Sequence, residues 1–98
     1  MPKYVCLLTF AEQGEEELKN TPGRVEDLCN IASDLGAKVD QIYWCMGAYD
    51  GVILFEAAND ATASALILRL DAIGNVRGET LRAFDTDEMV KIVDMAFR

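Results

Sequence analysis

An α+β fold, with helices on one side of a four-stranded antiparallel sheet, is predicted by three features of this 98-residue chain. The first is a hairpin. Met46-Gly47-Ala48-Tyr49-Asp50-Gly51 is a turn rich in Gly and Asp, set between strand-like segments at residues 38–45 and 52–57. The second is the succession of apolar periods, which reads strand, helix, strand, strand, helix, strand and a terminal helix. The third is that the first three strands are apolar on both faces, the mark of strands covered on both sides.

The first strand spans residues 3–10, with Tyr4, Cys6, Leu8 and Phe10 on one face and Val5 and Leu7 with Thr9 on the other. Residues 11–20 are polar and hold Glu15, Glu16 and Glu17, a solvated loop or helical turn. Thr21 is placed as a helix cap and Pro22 at the first helical position. Val25, Leu28, Cys29, Ala32 and Leu35 form the apolar stripe of that helix, Arg24, Glu26, Asp27 and Asp34 lie off it, and Gly36 stops it.

In the hairpin, alternation sets Asp40, Ile42, Trp44 and Met46 against Val39, Gln41, Tyr43 and Cys45. The returning strand is apolar on both faces except at Glu56. Asn59-Asp60 caps a second helix at residues 61–73. Its stripes are Ala63, Leu66, Ile67, Leu70 and Ile73, then Ala61, Ala65, Leu68 and Ala72, so it is expected to be covered on more than one side. Gly74-Asn75 ends it, and residues 76–84 form the last strand. Asp85-Thr86-Asp87-Glu88 then opens the terminal helix, with acidic residues where the helix dipole favours them and a stripe of Met89, Ile92, Val93 and Ala96.

This order is the βαββαβ arrangement of the ferredoxin-like fold plus a C-terminal helix, in one domain over residues 1–98. Helices cover one sheet face, yet the other face is apolar as well. Each large side chain left exposed there forgoes about 1.5–3 kcal/mol. A second copy packing sheet against sheet, a dimeric α+β barrel, resolves this. The alternative is that the terminal helix folds back over the face. The Ala61, Ala65, Leu68 and Ala72 stripe needs a further cover, from the terminal helix or from a neighbouring dimer, and assembly beyond the dimer is expected.

Composition narrows the partners. The net charge of −8, from 9 Lys+Arg against 17 Asp+Glu, disfavours nucleic acid and anionic membrane. The first residues lack a signal-peptide pattern, and no stretch is long and apolar enough to span a membrane. Cys6, Cys29 and Cys45 have no Zn-ligand spacing, and a reducing cytoplasm, with the thiols as small core residues, fits them. Histidine is absent, so the commonest general base and metal ligand are missing and a histidine-ligated haem is ruled out. No Gly-rich phosphate motif occurs. No haem, flavin, transition metal or other cofactor is expected, and no catalytic residue is assigned.

The ligand-binding candidates are Tyr43, Trp44, Tyr49, Asp50, Glu56 and Arg82, with Thr80 beside them. Asp50 is expected to fix the turn through backbone amides. Tyr49 is expected to hydrogen-bond across an interface. Tyr43 and Trp44 face opposite ways, so they cannot share a pocket floor. Glu56 and Arg82 interrupt apolar strands and need partners if buried, either each other or a polar ligand.

The ordered set Tyr43-Trp44, Gly47-Ala48-Tyr49-Asp50, Gly74-Asn75-Val76-Arg77, Glu79-Thr80-Leu81-Arg82-Ala83-Phe84 and Glu88-Met89 resembles the GYD-domain family. Tyr4-Val5, Thr9-Phe10 and Thr21-Pro22-Gly23-Arg24 fit it too, and the likeness covers nearly the whole chain. It implies a dimeric α+β barrel of uncharacterised function. The hairpin and last strand are also similar to the ligand-sensing domain of leucine-responsive regulators, which implies small metabolites bound near subunit interfaces. The separate DNA-binding module of those regulators has no counterpart here. The favoured function is a non-catalytic, homo-oligomeric small-molecule-binding or assembly module. The alternatives are a cofactor-free small oxygenase or isomerase with a pocket between sheet and helices, and a purely structural subunit.

Overall fold

A computed structural model describes residues 1–10, 19–73 and 76–98, the side chain of Ile73 excepted. Four strands, β1 (Lys3–Phe10), β2 (Lys38–Trp44), β3 (Gly51–Glu56) and β4 (Val76–Ala83), form one sheet in the order β2-β3-β1-β4, with every pair antiparallel. The helices are α1 (Thr21–Asp34), α2 (Asp60–Ile73) and α3 (Thr86–Ala96). The βαββαβ order with its C-terminal helix is as the periodicity predicts. The acidic triplet at 15–17 and the Gly74-Asn75 stop lie outside the described residues.

Register fixes which side chains share a face. Tyr4 stands between Phe55 and Arg82, Cys6 between Ile53 and Thr80, and Leu8 between Gly51 and Gly78. These rows lie under α1 and α2. Tyr4, Cys6, Leu8, Ile53 and Phe55 are buried there with Leu28, Ile31 and Ala32 of α1 and Ala63, Leu66, Ile67 and Leu70 of α2. The Tyr4 and Phe55 rings stack with centroids 5.3 Å apart. Gly78 lets β4 and α2 close together, since a Cβ there would lie 2.8 Å from both Cys6 Sγ and Ile67 Cγ2.

The other face carries the alternate residues. Val5 stands between Leu54 and Leu81, and Leu7 between Val52 and Glu79. Gln41 and Tyr43 continue these rows on β2. No described helix covers this face: Tyr43 keeps 52% and Leu81 45% of its surface exposed.

Several local expectations are corrected. The pairing of β2 with β3 slips between Val39 and Gln41, leaving Asp40 as an extra residue. This bulge turns both Val39 and Ile42 toward the core, where strict alternation separated them. The α1 cap is Asn20, one residue before Thr21, and it makes no side-chain capping bond. In α1 the buried stripe is Leu28, Ile31 and Ala32, whereas Cys29 is exposed, as is Cys45. Only Cys6 of the three thiols is a core residue. The α1 end is a Schellman motif: Ala37 N–H donates to Ala32 O (2.8 Å) and Gly36 N–H to Ser33 O (3.1 Å), with Gly36 at φ +73°.

The second and third helices differ from expectation in burial. α2 starts at Asp60, with Asn59 Oδ1 accepting from Thr62 N–H at 2.9 Å. Its Ala63-Leu66-Ile67-Leu70 stripe is buried, but Ala61 and Ala72 are exposed and Leu68 keeps 69% of its surface. α3 neither covers that stripe nor folds back over the open sheet face, for none of its own residues is buried and Leu68 and Leu81 stay exposed. It is nonetheless well begun, with Asp85 and Glu88 forming a reciprocal capping box. The molecule is accordingly elongated, 55 × 31 × 18 Å. Its radius of gyration of 15.0 Å exceeds the about 13 Å usual for this length.

Candidate functional site

The residues nominated from the sequence fall into three separate places. Asp50 bonds backbone groups of two neighbouring segments. Its Oδ2 accepts from Phe10 N–H at 2.7 Å, its own N–H donates to Leu8 O at 2.8 Å, and its carbonyl accepts from Cys45 N–H at 2.8 Å. The turn is thereby clamped to the end of β1, forty residues away in sequence. Tyr49 beside it donates its hydroxyl to Glu79 Oε2 (3.0 Å) of the same chain. That carboxylate pushes the Tyr49 phenol upward from its ordinary pKa.

Glu56 and Arg82 do not meet. Glu56 pairs in register with Lys3 and Lys38 on the open face, whereas Arg82 shares the Tyr4 row on the helix side. Arg82 instead knots the end of β4 to the start of α3. It pairs with Glu88 (3.5 Å), donates to the carbonyls of Lys3 (3.2 Å) and Ala83, and lies 4.4 Å from the Phe84 ring centroid and 5.5 Å from that of Tyr4. Lys3 reaches Asp85 at 3.4 Å in the same corner. The Glu88 backbone N–H, with Lys3, holds the Asp85 carboxyl below its usual range.

Tyr43 and Trp44 point to opposite faces, as alternation predicts. Tyr43 joins the open apolar face. Trp44 lies on the helix side, its ring centroid 6.0 Å from that of Phe10, and it lines a cleft of about 170 Å³. The cleft opens between the sheet and the first turns of α1. Its floor is Leu8, Ile53, Leu28 and Leu70, Trp44 and Phe10 flank it, and Asn20, Thr21, Arg24 and Asp27 bring polar groups to it. The sequence pattern places Asn20 in the polar segment 11–20, Thr21 as the helix cap, and Arg24 and Asp27 off the apolar stripe. The sequence signal for them is weak: a helix start without an acidic residue in its first turn. Asp50, Glu56, Tyr49 and Arg82 do not line this cleft.

The remaining titratable groups are tied to packing. Burial pushes the Cys6 thiol up to about 11, against opposing hydrogen bonds from Thr80 and the Glu79 backbone. The Tyr4 hydroxyl donates to Asp60 Oδ1 at 2.6 Å, which raises its pKa. Among the described residues, no three His, Cys, Asp or Glu side chains are grouped to hold a metal ion, and no helix is long and apolar enough to cross a membrane.

Fold and surfaces together define a ferredoxin-like α+β domain with one sheet face packed under helices and one that no described helix covers. The GYD domain model matches residues 4–93, and the chain belongs to that family. It is 31% identical over 91 residues to the glutamine synthetase and cystathionine β-lyase binding protein of Thermus thermophilus, covering 92% of this chain and 96% of the relative. Among solved structures it is similar in fold to the leucine response regulatory protein of Mycobacterium tuberculosis, with TM-score 0.64 and 19% identity over 87% of this chain. It spans 51%, about half, of that regulator. A homoserine dehydrogenase from Thiobacillus denitrificans contains a similar unit, with TM-score 0.61, 20% identity and 86% of this chain matched to 17% of the enzyme.

Proposed function

We propose that this chain is a non-catalytic assembly module: two copies pair through their open sheet faces, and the dimer binds an enzyme of amino-acid metabolism. The observation that carries the first half is the open face itself. Val5, Leu7, Val52, Leu54 and Leu81 stand side by side on it with Tyr43, and α3 leaves it uncovered. A contiguous apolar face of this kind marks an interaction surface. A two-fold axis sets such a face against its own copy, so one patch serves both protomers. The second half is supported by the near full-length relative named for binding glutamine synthetase and cystathionine β-lyase. The acidic charge favours protein partners with basic rims over nucleic acid or anionic lipid. A cytoplasmic site of action fits such partners.

The test is co-purification of the chain with the glutamine synthetase of its own organism, followed by size-exclusion chromatography of the mixture. Co-elution is expected, and separate elution at tens of micromolar would remove the enzyme-binding half. The exposed Ala61, Leu68 and Ala72 side of α2 supports a further contact between dimers. Leu68→Glu should then split a larger particle into intact dimers, and a wild type already no larger than a dimer contradicts that step.

A further inference from the structure

We propose that the apolar side of α3 is a second part of the contact between copies: each protomer's α3 lies against its partner, beside the paired sheet faces. This rests on the sheet-face pairing proposed above and adds to it a surface that the sheet does not supply. Met89, Val90, Val93 and Ala96 recur on one side of α3, and Phe97 extends that side past the last turn. All five are exposed, while Asp87, Lys91, Asp94 and Arg98 occupy the other side. The helix is nonetheless fixed in place. The Asp85–Glu88 capping box starts it, Arg82 holds Glu88 at 3.5 Å, and Lys3 holds Asp85 at 3.4 Å. It is therefore a preformed apolar surface on a fixed mount, and no described element of its own chain covers it.

Three observations name a second copy as the cover. The first is continuity. Lys3 stands on the open face two residues before Val5, and it pairs with Asp85, the cap residue of α3. A copy laid on that face thus comes alongside the start of α3. The second is area. Four strands about 4.8 Å apart, each offering about six residues at about 3.3 Å, present a sheet face on the order of 400 Å². A stable interface takes about 800 Å² from each partner. The 11 residues of α3, about 16 Å long and about 10 Å across, offer on the order of 160 Å² more. Under a two-fold axis each protomer gives one such helix and receives the other, which brings the contact close to the standard size. The third is charge. Two chains of net charge −8 repel, so their contact must be locally balanced. The open face sets Lys3, Lys38 and Arg77 against Glu56 and Glu79, and the apolar side of α3 carries no charge.

The test places the photo-crosslinker p-benzoylphenylalanine at position 93 of the full-length protein, on the apolar side of α3. Irradiation at low micromolar concentration is expected to give a product of twice the chain mass on a denaturing gel. The same probe at position 91, on the polar side, should give about tenfold less of it. Val93→Asp should weaken the dimer by about tenfold or more in sedimentation while circular dichroism shows the fold retained, and Val93→Ile should leave it unchanged. Val90→Asp serves if the first variant does not fold. A dimeric wild type in which position 93 yields only single-chain product, or no more than position 91 yields, overturns the role of α3 and leaves the pairing of sheet faces standing. A monomeric wild type removes both. Cross-linking at position 93 that arises only when glutamine synthetase is added, and joins the probe to that enzyme, gives α3 to a different partner and also overturns the inference.

Discussion

The two faces of one sheet are built from equally apolar residues and end in opposite situations. On the helix side Tyr4, Cys6, Leu8, Ile53 and Phe55 are almost wholly buried. On the other side Val5, Leu7, Val52, Leu54 and Leu81 lie one residue away along the same strands; the first four are only half-buried, Leu81 is exposed, and no described helix covers them. Secondary structure and strand propensity are therefore indifferent to the distinction. The difference lies in the connections. Both crossover helices return on one side, and the helix that could have covered the other side leaves the sheet at the Arg82 knot. A covered face reports how the chain folds, whereas an uncovered apolar face reports what it binds.

Substitutions on the two faces should separate folding from association. The largest effect is expected at Phe55, which is fully buried on β3 and stacks on Tyr4 of β1. Phe55→Ala should cost about 3–5 kcal/mol of folding stability by chemical denaturation. Leu81→Asp on the open face should act differently. It should remove more than about 2 kcal/mol from association, as loss of a central interface residue does. The folded protomer should keep its circular dichroism spectrum. If Leu81→Asp instead unfolds the protein as Phe55→Ala does, the open face belongs to the core of an obligate fold and not to a separable interface.

Asp50→Ala tests the seam between the faces, where the hairpin turn is tied to β1. Removing the acceptor of Phe10 N–H leaves a half-buried amide unpaired and should cost about 1–3 kcal/mol. Hydrogen exchange at Phe10 and Cys45 should quicken before that of the sheet centre. The smallest effect concerns α3. The Asp85 carboxyl is held below its usual value by the Glu88 N–H and by Lys3, so its ionised form stabilises the folded state. That contribution is present above the unfolded carboxyl pKa of about 4 and is lost as pH falls through the lower folded value. Helicity of α3 should thus fade below about pH 4, and Asp85→Asn should remove that acid step without disturbing the sheet.

Much of this organisation was legible in the residues. The alternation of Tyr4, Cys6 and Leu8 against Val5 and Leu7 announced a sheet apolar on both faces. The Gly-x-Tyr-Asp turn announced the hairpin, and Asp50 took the backbone-bonding role its position suggested. What alternation could not show was the extra residue at Asp40, because a bulge leaves no mark in a pattern of period two. That bulge is what allows Val39 and Ile42 to share the core. Nor could the sequence show that Glu56 and Arg82 end on opposite faces of strands at opposite sides of β1. The cleft was hidden for a related reason. Arg24 and Asp27 on a helix surface look solvated until the fold sets that helix start beside Trp44 and Phe10.

Sedimentation equilibrium of the wild-type protein at low micromolar concentration tests the central claim most directly, since it asks whether the open face is covered in solution. The account predicts a species of twice the chain mass, with no substantial monomer, that gives way to a folded monomer in Leu81→Asp. A well-folded wild-type monomer at that concentration would contradict it.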